Sequence, residues 1–295
     1  KPNDMPALLA GKGLPNFSEI TPTQVKEVIP ILLTQLNDRF NSYEKELEKR
    51  LNEDLTLNWV NVISPLHEIT ESLRWSWGVV SHLNGVCNSS EFRDAYGSQQ
   101  PEIIRFNNRI GQSKLLYKAL LNLKSLADCK LNETQKRILE SELLNMKHRG
   151  VGLPDKKKET FNSNSERLAE LSTKFSNNVL DSTQQWSLLL KDSADIEGIP
   201  TRTLESLAQA AKNSKKHSFP AGEEPTPERG PWLLGLDAPS YISFITYSKN
   251  RQLRETIYKA YVSRASSGKI DNQVLIEEIL ELRNKQSNLL GYNNW

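Results

Sequence analysis

His67-Glu68-Ile69-Thr70-Glu71 opens in the manner of a hydrolytic zinc helix. Such a helix needs two imidazoles one turn apart, with a glutamate after the first to activate the metal-bound water. Glu71 stands where the second imidazole must be, so the motif is incomplete. What remains is a two-ligand His67/Glu71 pair on one helix face, and a surface histidine beside two acids is the simpler reading. Of the other histidines, His82 lies between core-type residues and is expected inside, His148 at a helix end and His217 in a polar loop.

Other chemistries fail on spacing. Gly11-Lys-Gly13 and Gly150-Val-Gly152 lack the third glycine of a dinucleotide fingerprint, because Asn16 and Asp155 occupy that place. Ser267-Gly268-Lys269 has Ser263 where a P-loop requires glycine. There is no Gly-x-Ser-x-Gly elbow, and neither Cys87 nor Cys129 has a CxxC partner. Two cysteines make no disulfide framework and are expected as reduced, buried thiols. Trp59, Trp75, Trp77 and Trp186 stand at helical spacing and are expected in a core rather than along a ligand groove. On residue chemistry alone, no catalytic and no metal-ligating residue is assigned.

The elements that carry these residues are mostly helices. Thr21-Pro22-Thr23-Gln24 provides an N-cap, a Pro at the first helical position and a Gln able to return to the cap N–H. Trp59, Val62, Ile63, Leu66, Ile69, Leu73, Trp77, Val80 and Leu83 recur at three- and four-residue steps, which predicts an amphipathic helix. Further helices are predicted over 91–110, 113–126, 133–146 (capped by Asn132 with Gln135), 156–186, 203–212 and 239–265. A last one, capped by Asp271 or Asn272, places Leu275, Ile276, Ile279, Leu280, Leu282 and Leu289 on an apolar face. The short runs at Trp186–Lys191 and Trp232–Asp237 suit strands. Residues 213–231 read as a polar, mobile surface loop.

The expected fold is therefore mainly α: an irregular multi-helix lobe with a small two-stranded β element. Its organisation is an extended arm over 1–20, a helical lobe over 21–186, and a strand-helix-strand segment with two helices over 187–295. With 38 Lys plus Arg against 36 Asp plus Glu and a net charge of +2, no charge excess points to nucleic acid or an acidic surface. No apolar run approaches the roughly 20 residues of a membrane helix.

Several segments, taken in order, resemble one family. They are Gly13-Leu-Pro-Asn-Phe17, His82-Leu-Asn84-Gly-Val86, Phe92-Arg93-Asp94-Ala-Tyr96, Gly150-Val-Gly152-Leu153 and Phe175-Ser-Asn177-Asn178-Val-Leu-Asp181. Gly230-Pro-Trp232-Leu-Leu, Leu236-Asp237-Ala-Pro239-Ser240-Tyr241, Tyr258-Lys-Ala-Tyr261 and Leu290-Gly291-Tyr-Asn-Asn-Trp295 follow. Together they resemble the N-terminal half of the oligopeptidase A branch of the thimet oligopeptidase family, the zinc endopeptidases of short peptides.

The resemblance implies a two-lobed helical enzyme whose deep channel admits short peptides. This chain would supply channel wall and restrict access, while zinc and the HExxH helix belong to a C-terminal catalytic lobe beyond it. The segment itself is then expected to bind no zinc and to be inactive alone, and the compartment to be the cytoplasm, or a mitochondrion or chloroplast after transit-peptide removal. Asp237 and Tyr241, at a strand end, are the substrate-channel candidates; ordinary capping preference gives Asp237 the competing role of N-cap. The alternative is a stand-alone helical module that binds peptides or a protein without cutting them.

Overall fold

The computed structural model describes residues 6–126, 131–220 and 224–295. Among the described residues it contains ten α-helices and one two-stranded antiparallel sheet, the mainly α architecture that the periodicity predicts. The chain divides into two compact units, residues 1–170 with 280–295 and residues 171–279. Each has its own apolar cluster.

In the first unit, helix α1 (Pro22–Asn52) begins where the Thr21 hydroxyl accepts the Gln24 N–H at 3.3 Å. Val25, Val28, Ile29, Leu32, Leu36, Phe40 and Leu47 form its buried stripe. That stripe packs on α2 (Trp59–Val86), α3 (Ser90–Gly111) and α4 (Lys114–Ser125). Asn58 and Asn61 cap α2 reciprocally, and Ser89 and Ser113 cap α3 and α4. Helix α5 (Glu133–His148) packs on α3 and α4 behind the reciprocal Asn132/Gln135 cap. Each fully buried Leu, Ile or Phe in this cluster contributes about 1.5–3 kcal/mol relative to exposure.

The segment expected as an extended arm carries two 3-10 turns, Ala7–Leu9 and Phe17–Glu19. Its apolar content explains the difference. Leu8 is 0% exposed in the first unit's core. The Ser76 hydroxyl donates to Leu8 O at 2.6 Å, and the Trp75 indole N–H to Gly13 O at 3.0 Å.

Helix α6 (Asp155–Gln185) leads into the second unit. There β1 (Leu188–Leu190) pairs with β2 (Trp232–Leu234), with Leu189 opposite Leu233. Trp232 is 1% exposed and packs with Leu207 and Ala208 of α7 (Thr201–Lys212). The loop before β2 ends in a closed turn: Thr226 and Gly230 exchange backbone hydrogen bonds, and the Trp232 indole donates to Pro227 O at 3.0 Å. Gly230, at φ +68°, lies so close to the indole that a Cβ there would stand 2.6 Å from the ring. Only glycine meets both demands.

The single helix predicted over 239–265 is two, α8 (Ala238–Tyr247) and α9 (Arg251–Val262). Asn250 caps α9 by accepting the Leu253 N–H, the Ser248 hydroxyl accepts the Asn250 N–H, and the Lys249 N–H leaves for Glu197 O. These polar side chains offer the backbone partners that compete with helix continuation. In α10 (Gln273–Leu289), Leu275 and Ile279 are buried, whereas Ile276 and Leu280 of the expected apolar face are exposed.

Candidate functional site

The His67/Glu71 pair is in place on α2 but is not assembled for metal chemistry. Both residues are exposed, Glu71 is ion-paired with Arg74, and the His67 ring stands edge-on to Trp59 at 6.5 Å. Among the described residues no group of three or more His, Cys, Asp or Glu is placed to hold a metal ion. This donor set does not fit zinc, and no hydrolytic step is derived from it.

His82 is exposed rather than interior, its ring 5.4 Å from that of Phe17. Val80 and Leu83 turn to the core, and position 82 falls off their stripe. Cys87 is exposed too, at the end of α2 where the apolar stripe has run out; Cys129 lies outside the described residues. The four tryptophans singled out in the sequence are half-buried against their clusters.

Asp237 is exposed and caps α8, its Oδ1 accepting the Ser240 N–H at 3.0 Å. Tyr241, one turn on, stacks on Tyr261 with ring centroids 3.8 Å apart and planes 11° from parallel. The Arg264 guanidinium covers that Tyr261 ring at 3.7 Å and donates to the Thr183 hydroxyl at 3.1 Å. Capping thus occupies one Asp237 oxygen, and the ladder fixes the Tyr241 ring.

Sequence reasoning missed a cavity of about 810 Å³ in the first unit. Its size falls within the range of small-molecule and peptide sites. Residues from four helices line it: Leu66, His67, Leu73, Arg74 and Trp77 from α2, Ile103, Asn107 and Gly111 from α3, Leu116 from α4, and Glu142, Asn145, Met146 and His148 from α5, with Arg149. Trp77 is held by stacking on Tyr96 at 4.6 Å, and His148 Nε2 lies 3.2 Å from the Tyr292 hydroxyl.

Arg149 is the C-cap of α5. Its N–H donates to Asn145 O at 2.9 Å, and its carbonyl accepts from Gln112 Nε2 at 2.8 Å. The arginine stem rests on Gly111, where an added Cβ would meet Arg149 Cβ at 2.9 Å. Surrounding protein lowers the pKa of the guanidinium, and Glu142 acts against that shift. The side chain is nonetheless open to water. A wall position in a concave cavity reconciles the two, since water reaches the group while protein displaces much of its hydration. No sequence motif marks this site.

Comparison with known proteins assigns the chain. The family model described as "Neurolysin/Thimet oligopeptidase, N-terminal domain" matches residues 31–158, and that described as "Peptidase family M3" matches residues 244–295. The chain is 39% identical over 289 residues to "Organellar oligopeptidase A, chloroplastic/mitochondrial" of Arabidopsis thaliana, covering 98% of this chain and 35% of that protein. It is likewise 39% identical to "Probable cytosolic oligopeptidase A" of the same plant, over 98% of this chain and 39% of that one. To "Oligopeptidase A" of Escherichia coli it is 36% identical over 294 residues, covering 98% and 40%. The chain therefore spans well under half the length of the curated relatives it matches. The two matches follow one another along the chain in the order the quoted segments predict, and the chain belongs to the thimet oligopeptidase family, in its oligopeptidase A branch.

Proposed function

We propose that this chain is the N-terminal, non-catalytic portion of a zinc-dependent oligopeptidase of short peptides, forming part of the wall of an access-restricting channel. The observation that carries this reading is identity of 36–39% to oligopeptidases A across 98% of the chain, aligned to only 35–40% of their length. On this reading the metal-binding and hydrolytic groups are expected in sequence beyond this chain. Asp237 and Tyr241 are proposed wall residues, Tyr241 offering a fixed ring and Asp237 its uncommitted oxygen. Zinc, when bound in the whole enzyme, would polarise the scissile carbonyl and activate water. This chain's residues would bind and orient peptide. The names of the Arabidopsis relatives support a cytosolic or organellar compartment.

The test is the transcript together with the protein. The reading frame is expected to continue beyond Trp295 and encode His-Glu-x-x-His. The extended product should carry stoichiometric zinc and cut a quenched fluorescent peptide, while the 295-residue protein does neither. A frame that stops at Trp295, or peptide cleavage by the 295-residue protein, defeats the proposal.

A further inference from the structure

The first unit's cavity carries two opposite charges, Glu142 and Arg149, that feel one another through space but make no contact ion pair. Arg74 is committed to Glu71, but Glu142 and the Arg149 guanidinium have neither an ion pair nor a side-chain hydrogen bond among the described residues. The Asn107 and Asn145 amides are equally uncommitted. Their placement is regular. Asn107 stands one turn before Gly111 on α3, Asn145 one turn before Arg149 on α5, and Glu142 about two turns before Arg149 on the same face.

We propose that this cavity binds a short peptide by both of its ends, with the C-terminal carboxylate on Arg149 and the N-terminal ammonium toward Glu142. The geometry suits a guest of about three residues. Seven helical positions separate the Glu142 and Arg149 Cα atoms by about 10 Å along the axis. A tripeptide in extended form spans about that length. An arginine fork matches a carboxylate with two parallel hydrogen bonds, and Asn107 and Asn145 offer amides to the oxygens or to the peptide backbone. Leu73, Trp77, Ile103 and Met146 give the side chains an apolar wall.

Charge narrows the ligand further. A doubly charged phosphate would gain from Arg149 but meet the Glu142 carboxylate on the same wall, whereas a zwitterion satisfies both. The peptide class rests on the proposed oligopeptidase reading; the two-ended recognition rests on the cavity alone. The mundane competitor is that Arg149 merely compensates the carbonyl ends of α3 and α5. That role requires no ligand.

Calorimetric titration of the 295-residue protein with Ala-Ala-Phe, its C-terminal amide and its N-acetyl form tests the proposal without hydrolysis. The free acid is expected to bind about tenfold more tightly than the amide, and the free amine more tightly than the acetylated form. R149Q should abolish the first difference and E142Q the second. R202Q, at an exposed position of α7, should leave both. R149K should keep part of the acid preference, since it keeps the charge and loses the fork.

Equal binding of acid and amide by the unmodified protein overturns the proposal even if a variant fails to fold. So does an acid preference that persists in folded R149Q, or displacement of the peptide by inorganic phosphate at comparable concentration. The oligopeptidase reading fails separately, through the frame beyond Trp295, whatever the outcome of these titrations.

Discussion

Asn178 donates its side-chain N–H to the Asn272 side-chain oxygen Oδ1 at 2.8 Å, and the two residues are 8% and 3% exposed. Asn272 passes the link on, its own amide donating to Phe175 O at 3.2 Å. One side chain at the start of α10 thus engages both a side chain and the backbone of α6. Asn272→Ala strands a buried donor and should cost about 1–3 kcal/mol. Asp271→Ala, which removes only an exposed acceptor for the Gln273 N–H, should cost about 1 kcal/mol or less. Urea unfolding of both variants checks the order, and a larger loss for Asp271→Ala would contradict it.

Tyr43 should make the first unit sensitive to base. Its hydroxyl donates to Val62 O at 2.6 Å in the core, and burial, followed by the Glu44 charge, raises its pKa far above 10.0. The unfolded chain therefore releases the phenolic proton first. The stabilisation is full below about pH 10 and is lost as pH climbs from there toward the folded value. Tyr43→Phe should lose about 1 kcal/mol at neutral pH through the missing hydrogen bond. It should also show a flatter decline between pH 10 and 12 in urea-midpoint measurements. An equally steep decline in that variant would mean other groups govern the base limb.

The N-terminal segment should behave as core. Leu8→Ala removes a fully buried side chain from the first unit and is expected to cost about 2–5 kcal/mol. Ser76→Ala, which leaves the Leu8 carbonyl without its 2.6 Å donor, should cost about 1 kcal/mol or more. Hydrogen exchange at Leu9 and Ala10, whose amides bond to Pro6 O and Ala7 O, should accelerate in both variants. Unchanged thermal stability of Leu8→Ala would return this segment to the status of a loose arm.

Local signals in the sequence carried the helices and strands, whereas the cavity depends on where distant residues meet. The stripe from Trp59 to Leu83 and the caps at Asn132 and Asp237 are decided within a few residues, and all appear in the structure. The α8/α9 break escaped because apolar spacing runs through it, while Ser248 and Asn250 redirect the backbone by side-chain bonds that periodicity does not register. His82 and Cys87 were misplaced by their neighbours' polarity, which says little about the direction of a single residue on a helix. Arg149 had no signal at all. Its relation to Gly111 and Asn107 is created by the packing of α5 on α3, and a glycine ending a helix ordinarily reads as a stop.

Two similar N-terminal signatures offer the sharpest test of sequence reading by structure. Asn132 and Gln135 form the full reciprocal box, with Asn132 Oδ1 accepting the Gln135 N–H at 2.9 Å and Gln135 Oε1 accepting the Asn132 N–H at 3.1 Å. At Thr21 and Gln24 only the hydroxyl bond forms, and Gln24 Oε1 is shielded from water without a partner. Gln135→Met should therefore cost about 0.5–1 kcal/mol, through a cap N–H left to water. Gln24→Met should be neutral or stabilising by up to about 1 kcal/mol, because an unpaired buried acceptor gives way to an apolar group of similar length. Thermal and urea unfolding of the two variants, measured side by side, decides the matter. Equal destabilisation would mean that Gln24 does return to the Thr21 N–H in solution and that the two signatures are the same device.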